Sequence, residues 1–381
     1  MRRRRPYHGD DLKAVMARGK QVDKSFLGIV IVLLGVGALI FSSASLGLLA
    51  RTGGASFGTT ALKQFAAILI GGALAYAVSK VPYQFWRRYS FYIFAASIVL
   101  TLLVFVPKLG FEYGGGKRWV AFGPVTFQPA EFLKIAFVMY LAAWLSAAKN
   151  KVRTWRGGML PVIILLVIAG GILLKQPDTD TFISIVAAAM VMFLAAGGRY
   201  RDVFLFCVIG LIGFAGLVFI RPYLMQRVTT FFNPSADPLG AGYQIQQSLI
   251  AVGSGKFLGR GFGQSIQKFN YLPEPIGDSI FAVAAEEFGF VGSVLLVLLF
   301  FLFTLKGFQI ASRSPDMFGG LLVVGIVILI MSDSFMNIGS MLGVLPLSGL
   351  PLLFVSQGGS AMVLTLFQVG ILLNISKYRR T

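Results

Sequence analysis

Apolar runs recur from about residue 26 to residue 375, parted by short polar, basic or glycine-rich segments. They lie near 26–50, 62–79, 90–106, 129–148, 159–174, 182–197, 203–220, 280–305, 317–335 and 352–375. Runs of this length cross a hydrocarbon layer as helices, which satisfy their own backbone. The pattern therefore predicts an all-α polytopic membrane protein of about ten transmembrane helices. The runs at 159–174 and 182–197 are short and predict tilted partners or a broken pair around a cavity. Ser43–Ala44 resembles a signal-peptidase site, but the first run reaches spanning length and more follow, so it reads as an uncleaved helix.

The polar intervals set the orientation. Lys80, Arg87 and Arg88; Lys149, Lys151, Arg153 and Arg156; Arg199 and Arg201; Lys306 and Arg313; and Lys377, Arg379 and Arg380 fall on one side if the N-terminus is inside. The positive-inside rule then places both termini in the cytoplasm. The expected organisation is a basic tail at 1–24, a single membrane domain at 25–376 with a large outer loop at 221–279 between the seventh and eighth helices, and a short tail at 377–381. The other outer segments are 107–128 and 336–351, the latter running into SQGGS at 356–360. Glycine, proline and polar residues collect on this outer side, so chemistry is expected there.

Composition narrows the classes. The chain of 381 residues is 56% hydrophobic and only 13% charged, against about 25% charged in soluble domains. Its net charge of +19 is scattered between apolar spans, which suits anionic membrane lipid and argues against nucleic acid as a partner. One cysteine, Cys207, and one histidine, His8, exclude an intrachain disulfide and a His/Cys zinc site. A Mg²⁺ or Mn²⁺ ion held by carboxylates and phosphate remains open, and nothing suggests an organic cofactor.

The acidic residues are unevenly placed. Glu274, Asp278, Glu286 and Glu287 crowd the stretch Lys268–Phe290, in a chain with 15 Asp and Glu in all. Ionisable groups at a membrane boundary are costly and point to function. The plainer alternative is that Asp278 caps a helix while Glu286–Glu287 face a water-filled groove. In residues 114–134, glycines lead to Lys117–Arg118–Trp119, and Arg suits phosphate oxygens. Pro129 fits a first helical turn, with Glu131 and Lys134 on one face behind it. Asp178 and Asp180 follow Pro177 and suit a helix cap. In the long loop, Gln244 and Gln247 share a face of a short amphipathic or re-entrant helix, IQQSLIAV. Arg227, Lys256, Arg260 and Lys268 suit an anionic head group there.

Five ordered stretches resemble the SEDS family (shape, elongation, division and sporulation): KRWVAFGPVTFQPAEFLK at 117–134, KQPDTDT at 175–181, GYQIQQSLIAVGSG at 242–255, QKFNYLPEPIGDSIFAVAAEEFGF at 267–290 and LPLSGLPLLFVSQGGSAM at 345–362. The wording SIQKFNYLPEP is closer to division members than to elongation members. The resemblance implies a peptidoglycan glycosyltransferase that polymerises lipid II, an inverting transfer from a lipid-pyrophosphate donor. It implies work beside a class B penicillin-binding transpeptidase and other division-complex membrane proteins, in the bacterial plasma membrane at the septum. The family's essential outer acid falls on Asp278. The usual His-Thr-Asp-Phe reads Ile276-Gly277-Asp278-Ser279 here, the usual Ser-Tyr-Gly-Gly-Ser reads Ser356-Gln357-Gly358-Gly359-Ser360, and Asp180 replaces a glycine.

The expected site therefore has Asp278 as the catalytic base. Arg118, Trp119, Gln128, Glu131, Lys134, Asp178, Arg227, Gln244, Gln247, Lys268, Glu274, Ser356, Gly358, Gly359 and Ser360 are expected substrate-binding positions. Any Mg²⁺ or Mn²⁺ is expected at Asp278 and Glu274. The competing readings are a lipid II flippase, an elongation-type polymerase and a scaffold of the division complex.

Overall fold

The structure, a computed structural model, describes residues 21–378 except 53, 108, 114–115, 123–124, 238 and 241. The basic tail before residue 21, His8 and Arg379–Arg380 lie outside the described residues. The helices are α1 (Lys24–Ser45), α2 (Gly47–Thr52), α3 (Gly54–Lys80), α4 (Gln84–Leu102), α5 (Pro129–Ala148), α6 (Leu160–Leu173), α7 (Thr179–Ala195), α8 (Tyr200–Ile220), α9 (Pro222–Phe232), α10 (Tyr243–Ser254), α11 (Ile280–Ser312), α12 (Met317–Met341) and α13 (Gly359–Ser376). Among the described residues, nine segments are long and apolar enough to span a membrane, and α7 is a shorter apolar helix. With α7 they account for the ten predicted runs.

Local chemistry sets the helix starts. Asp23 accepts from the Phe26 N–H at 3.0 Å to open α1, and Asp316 accepts from the Gly319 N–H at 2.8 Å to open α12. Asp178 caps α7 through the Thr181 N–H at 3.4 Å. Pro129 begins α5, where a missing N–H costs nothing, and Glu131 lies in the first turn, where the helix dipole favours an anion.

The core is built from α5, α12 and α13, most of whose residues are buried, with α7 and α11 packed against α12. Glycine permits the tightest approach: a Cβ at Gly370 of α13 would meet the Ala75 carbonyl of α3 at 2.6 Å. In contrast, α8 buries only Asp202 and Val218. At one end of the bundle the Asp23 N–H donates to Ser376 Oγ and the Tyr83 N–H to Asn374 Oδ1, so the two ends of the described chain meet beside the α3–α4 turn.

Two features depart from the apolar pattern. Before α5 lies a three-stranded antiparallel sheet, β1 (Gly110–Tyr113), β2 (Gly116–Phe122) and β3 (Val125–Phe127), in register Phe111 with Trp119 and Ala121 with Thr126. The last run was expected to be helical from 352, but α13 starts at Gly359. Leu352 to Val355 are buried without being helical. The Ser356 hydroxyl accepts the Leu352 N–H at 2.9 Å and donates to the Gly277 carbonyl at 2.8 Å, so protein groups satisfy backbone that a helix does not.

Candidate active site

Asp278 lies in the turn immediately before α11, partly buried. Three neighbours hold its backbone. Asn337, from α12, donates its amide to the Asp278 carbonyl at 2.7 Å and to the Leu350 carbonyl at 2.8 Å. Ser356 holds Gly277, and the Gln357 N–H donates to the Ile276 carbonyl at 2.7 Å. Ser279, the next residue, receives the Gln244 amide at 3.1 Å from α10. The substituted Ile276, Gly277 and Ser279 thus serve mainly through backbone and a hydroxyl.

Burial raises the Asp278 carboxyl from its ordinary 3.8 to about 7. The charges of Glu274 and Asp180 add to that shift, and the guanidiniums of Arg118 and Arg227 oppose it. A Cβ on Gly349 would lie 3.9 Å from Asp278 Oδ2 and 3.8 Å from Arg118 Nη1. Gly349 therefore leaves open the space between the carboxylate and the cation.

The cations differ in freedom. Arg118, on β2, donates to the carbonyls of Gln176 at 3.3 Å and Pro177, and lies 4.0 Å from the Asp178 carboxylate. It remains partly exposed. The Gln128 amide reaches Asp178 at 3.4 Å. Arg227, from α9, donates through Nη1 to both oxygens of Asp180, at 3.0 and 2.9 Å, and Asp180 also accepts the Gly349 N–H at 3.1 Å. Asp180, expected only to cap a helix, instead ties α9 and the 348–351 segment to α7.

Lys268 departs from the expected phosphate contact. It is fully buried and donates to Glu287 at 2.7 Å, Ser43 at 2.9 Å and the Gly263 carbonyl at 2.9 Å. An ammonium has three donors, so none is left for phosphate. Glu286 and Glu287 likewise face no groove. Glu286 accepts from Ser265, Ile266 and Gln267 and pairs with Arg260. Lys134 is buried between Glu131 at 2.9 Å and Asp333 at 2.6 Å, which makes the three a support beneath the site rather than an open contact.

The remaining positions are more loosely placed. Trp119 and Gln247 are partly buried. The Gly358 N–H meets Gln64 at 3.4 Å, while Gly359 and Ser360 begin α13. Sequence reading missed Asp333 and Asn337. They sit four residues apart on one face of a membrane span, where an ionisable residue and an amide are the signal to look for.

Among the described residues, no group of three His, Cys, Asp or Glu side chains is placed to hold a metal ion. Asp278 and Glu274 offer two carboxylates, which suits a hard cation whose other ligands come from phosphate and water.

The profile of the FtsW/RodA/SpoVE family, described as a cell cycle protein, matches residues 24–381. The chain is 40% identical over 311 residues to stage V sporulation protein E of Bacillus subtilis (strain 168), covering 82% of this chain and 85% of the relative. It is 38% identical over 364 residues to a probable peptidoglycan glycosyltransferase FtsW of Idiomarina loihiensis, covering 94% and 88%. Its fold matches a chain solved in work on the structural coordination of polymerization and crosslinking by a peptidoglycan synthase complex, with TM-score 0.78, 27% identity and coverage of 93% and 97%. The rod shape determining protein RodA of Thermus thermophilus shares the fold, with TM-score 0.69, 24% identity and coverage of 94% and 98%. Matched by the family profile from residue 24 to 381 and by relatives at 38–40% identity over most of its length, the chain belongs to the FtsW/RodA/SpoVE family.

Proposed function

We propose that this chain is a peptidoglycan glycosyltransferase that polymerises lipid II into β-1,4 glycan strands at the outer face of the bacterial plasma membrane, during septal wall synthesis. The observation that carries the reading is the Asp278 carboxyl, raised to about 7 and set across an open space from Arg118. A base is most useful when its pKa lies near the working pH.

In the reaction the acceptor 4-hydroxyl attacks the anomeric carbon of the donor sugar. Its proton passes to Asp278 as the new C–O bond forms. The bond to the pyrophosphate breaks with its electron pair, and the charge that develops meets Arg118. A single displacement turns the α-linked donor into a β linkage. Arg227 acts from its bidentate seat on Asp180, so it contributes field more than contact. Held by Asp278 and Glu274, a Mg²⁺ or Mn²⁺ ion would neutralise pyrophosphate charge. The exposed apolar faces of the spans suit contact with polyprenyl tails.

Relatives named FtsW favour a duty in division, and similarity to a chain from a peptidoglycan synthase complex favours a partner. By its chemistry that partner is a class B penicillin-binding transpeptidase, which consumes the glycan strand.

The test is purified Asp278→Asn incubated with lipid II and the partner. Polymerisation is expected to fall by about 100-fold or more, the usual worth of a positioned base. Normal glycan strands from the variant would sink the assignment. Labelled lipid II that crosses vesicles without forming polymer would favour a flippase instead.

A further inference from the structure

The loop between α10 and Asp278 carries a feature that the proposed reaction does not use. Phe257, Leu258, Phe262 and Ile266 project from it at 64%, 78%, 53% and 50% exposure. Beside them are exposed Lys256 and Arg260. Four large apolar side chains standing out of a short loop need an apolar surrounding.

The loop is built into a break in a membrane helix. At Gly289, φ 64° and ψ −162° interrupt α11. Two helical bonds are lost there, from the Phe290 and Val291 N–H groups to the Glu286 and Glu287 carbonyls. The loop supplies both sides. The Phe290 N–H donates to the Lys256 carbonyl at 2.9 Å and the Val291 N–H to the Phe257 carbonyl at 3.2 Å. In return the Arg260 N–H reaches the Glu286 carbonyl at 3.0 Å and the Gly261 N–H the Glu287 carbonyl at 2.9 Å. Only glycine allows this closeness: a Cβ on Gly259 would meet the Glu287 carbonyl at 2.1 Å, and one on Gly289 would meet the Gly259 nitrogen at 2.3 Å. Backbone paired in this way can sit at the lipid interface, where water and head groups satisfy what remains.

The break also divides α11 by surroundings. From Ile280 to Glu287 every residue is buried, whereas Phe290, Val291, Val294 and Leu295 are exposed. Phe257 stacks on Phe290, ring centroids 5.8 Å apart, so the loop's apolar surface continues the lipid-facing surface of the span. Helix length places this level. From Ser312 to Gly289 is about 35 Å, and from Met317 to Asn337 about 30 Å, at about 1.5 Å per residue. Both segments start at the short α11–α12 turn, and the hydrocarbon core is about 30 Å thick. Gly289 and Asn337, which bonds the Asp278 carbonyl, therefore both reach its outer boundary.

We propose that residues 256–266 form an interfacial foot, seated in the head-group region of the outer leaflet. Phe257, Leu258, Phe262 and Ile266 enter the lipid, and Lys256 and Arg260 turn to its phosphates, as aromatic and basic residues do at membrane interfaces. Glu286 and the Lys268–Glu287 pair lock the foot to the helix end that carries Asp278. The foot thereby holds that carboxylate level with the lipid phosphates. It stands independently of the reaction proposed above.

The test uses the full chain with Cys207→Ser and single cysteines Leu258→Cys or Phe262→Cys, carrying an environment-sensitive fluorophore. Each is reconstituted without partners in phosphatidylcholine vesicles, with monodisperse elution as the check on folding. Lys117→Cys, at an exposed position of strand β2, is the aqueous reference. The expected result is blue-shifted emission at both loop positions, quenching by shallow spin-labelled lipid at least twice that at Lys117, and weak quenching by iodide. Iodide quenching equal to that at Lys117, without lipid quenching, overturns the foot. Shielding from both quenchers also overturns it, because the surface is then covered by protein.

Discussion

At neutral pH the Asp278 carboxyl stands near the middle of its titration, so small changes in its surroundings decide how much base is present. Polymerisation at saturating substrate is expected to rise with pH through about 7, since only the carboxylate accepts a proton. Glu274→Gln removes a charge that raises the pKa and should move the midpoint down; a profile flat across neutral pH contradicts the base role. The same shift fixes a sign for stability. The folded carboxyl keeps its proton to higher pH than the unfolded one, so the stability linked to this group is full below 3.8 and is lost as pH rises through about 7. Asp278→Asn is therefore expected to raise the thermal midpoint more at about pH 8 than at about pH 5. Lys268 makes the opposite case. Lys268→Met strands Glu287 in the interior and should cost about 3–5 kcal/mol, read by thermal unfolding in detergent. A variant that lost lipid II affinity with its stability intact would restore Lys268 to the substrate.

The carboxylate owes its position to elements distant in sequence. Strand β2 brings Arg118, α7 brings Asp180, α9 brings Arg227, and α12 brings Asn337. The Asn337 amide spans two carbonyls at once, one on the Asp278 turn and one at Leu350. Asn337→Leu leaves the buried Leu350 carbonyl and the part-buried Asp278 carbonyl without this donor, about 1–3 kcal/mol for the buried one. It should also let the turn shift, lowering kcat by about 100-fold with little change in KM, as expected of a displaced catalytic group. An unchanged kcat in a destabilised variant would reduce Asn337 to a purely structural bond.

Across the whole molecule, the helices divide into those that form the frame and those that face lipid. In the frame, Phe137 of α5 is fully buried, whereas Ile212 of α8 is largely exposed. Lipid tails are as apolar as the side chains they meet, so exposure in the membrane carries little penalty. Phe137→Ala is expected to cost about 3–5 kcal/mol through the cavity it leaves. Ile212→Ala should stay within about 0.5 kcal/mol, both measured by thermal unfolding. Equal losses at the two positions would show that α8 packs against protein.

The sequence by itself determined the spans, because hydropathy acts locally along the chain, and its basic loops predict their orientation. It also singled out Asp278, through a motif that survives the changes at Ile276, Gly277 and Ser279. What it did not determine were the partners of each charge. Lys268 and Arg118 read alike as basic residues near glycine, yet one has all three donors occupied in the interior while the other faces Asp278 across Gly349. Asp333 was hidden in an apolar run whose hydropathy masks it, and Asn337 fell in the segment expected outside that run, although the helix continues to Met341. The run at 352–358 was apolar enough for a helix, but hydroxyl and backbone partners from Ser356 and the Asp278 turn hold it in a turn instead. Pairing and burial depend on contacts between residues far apart in the chain, and those exist only once the helices have packed.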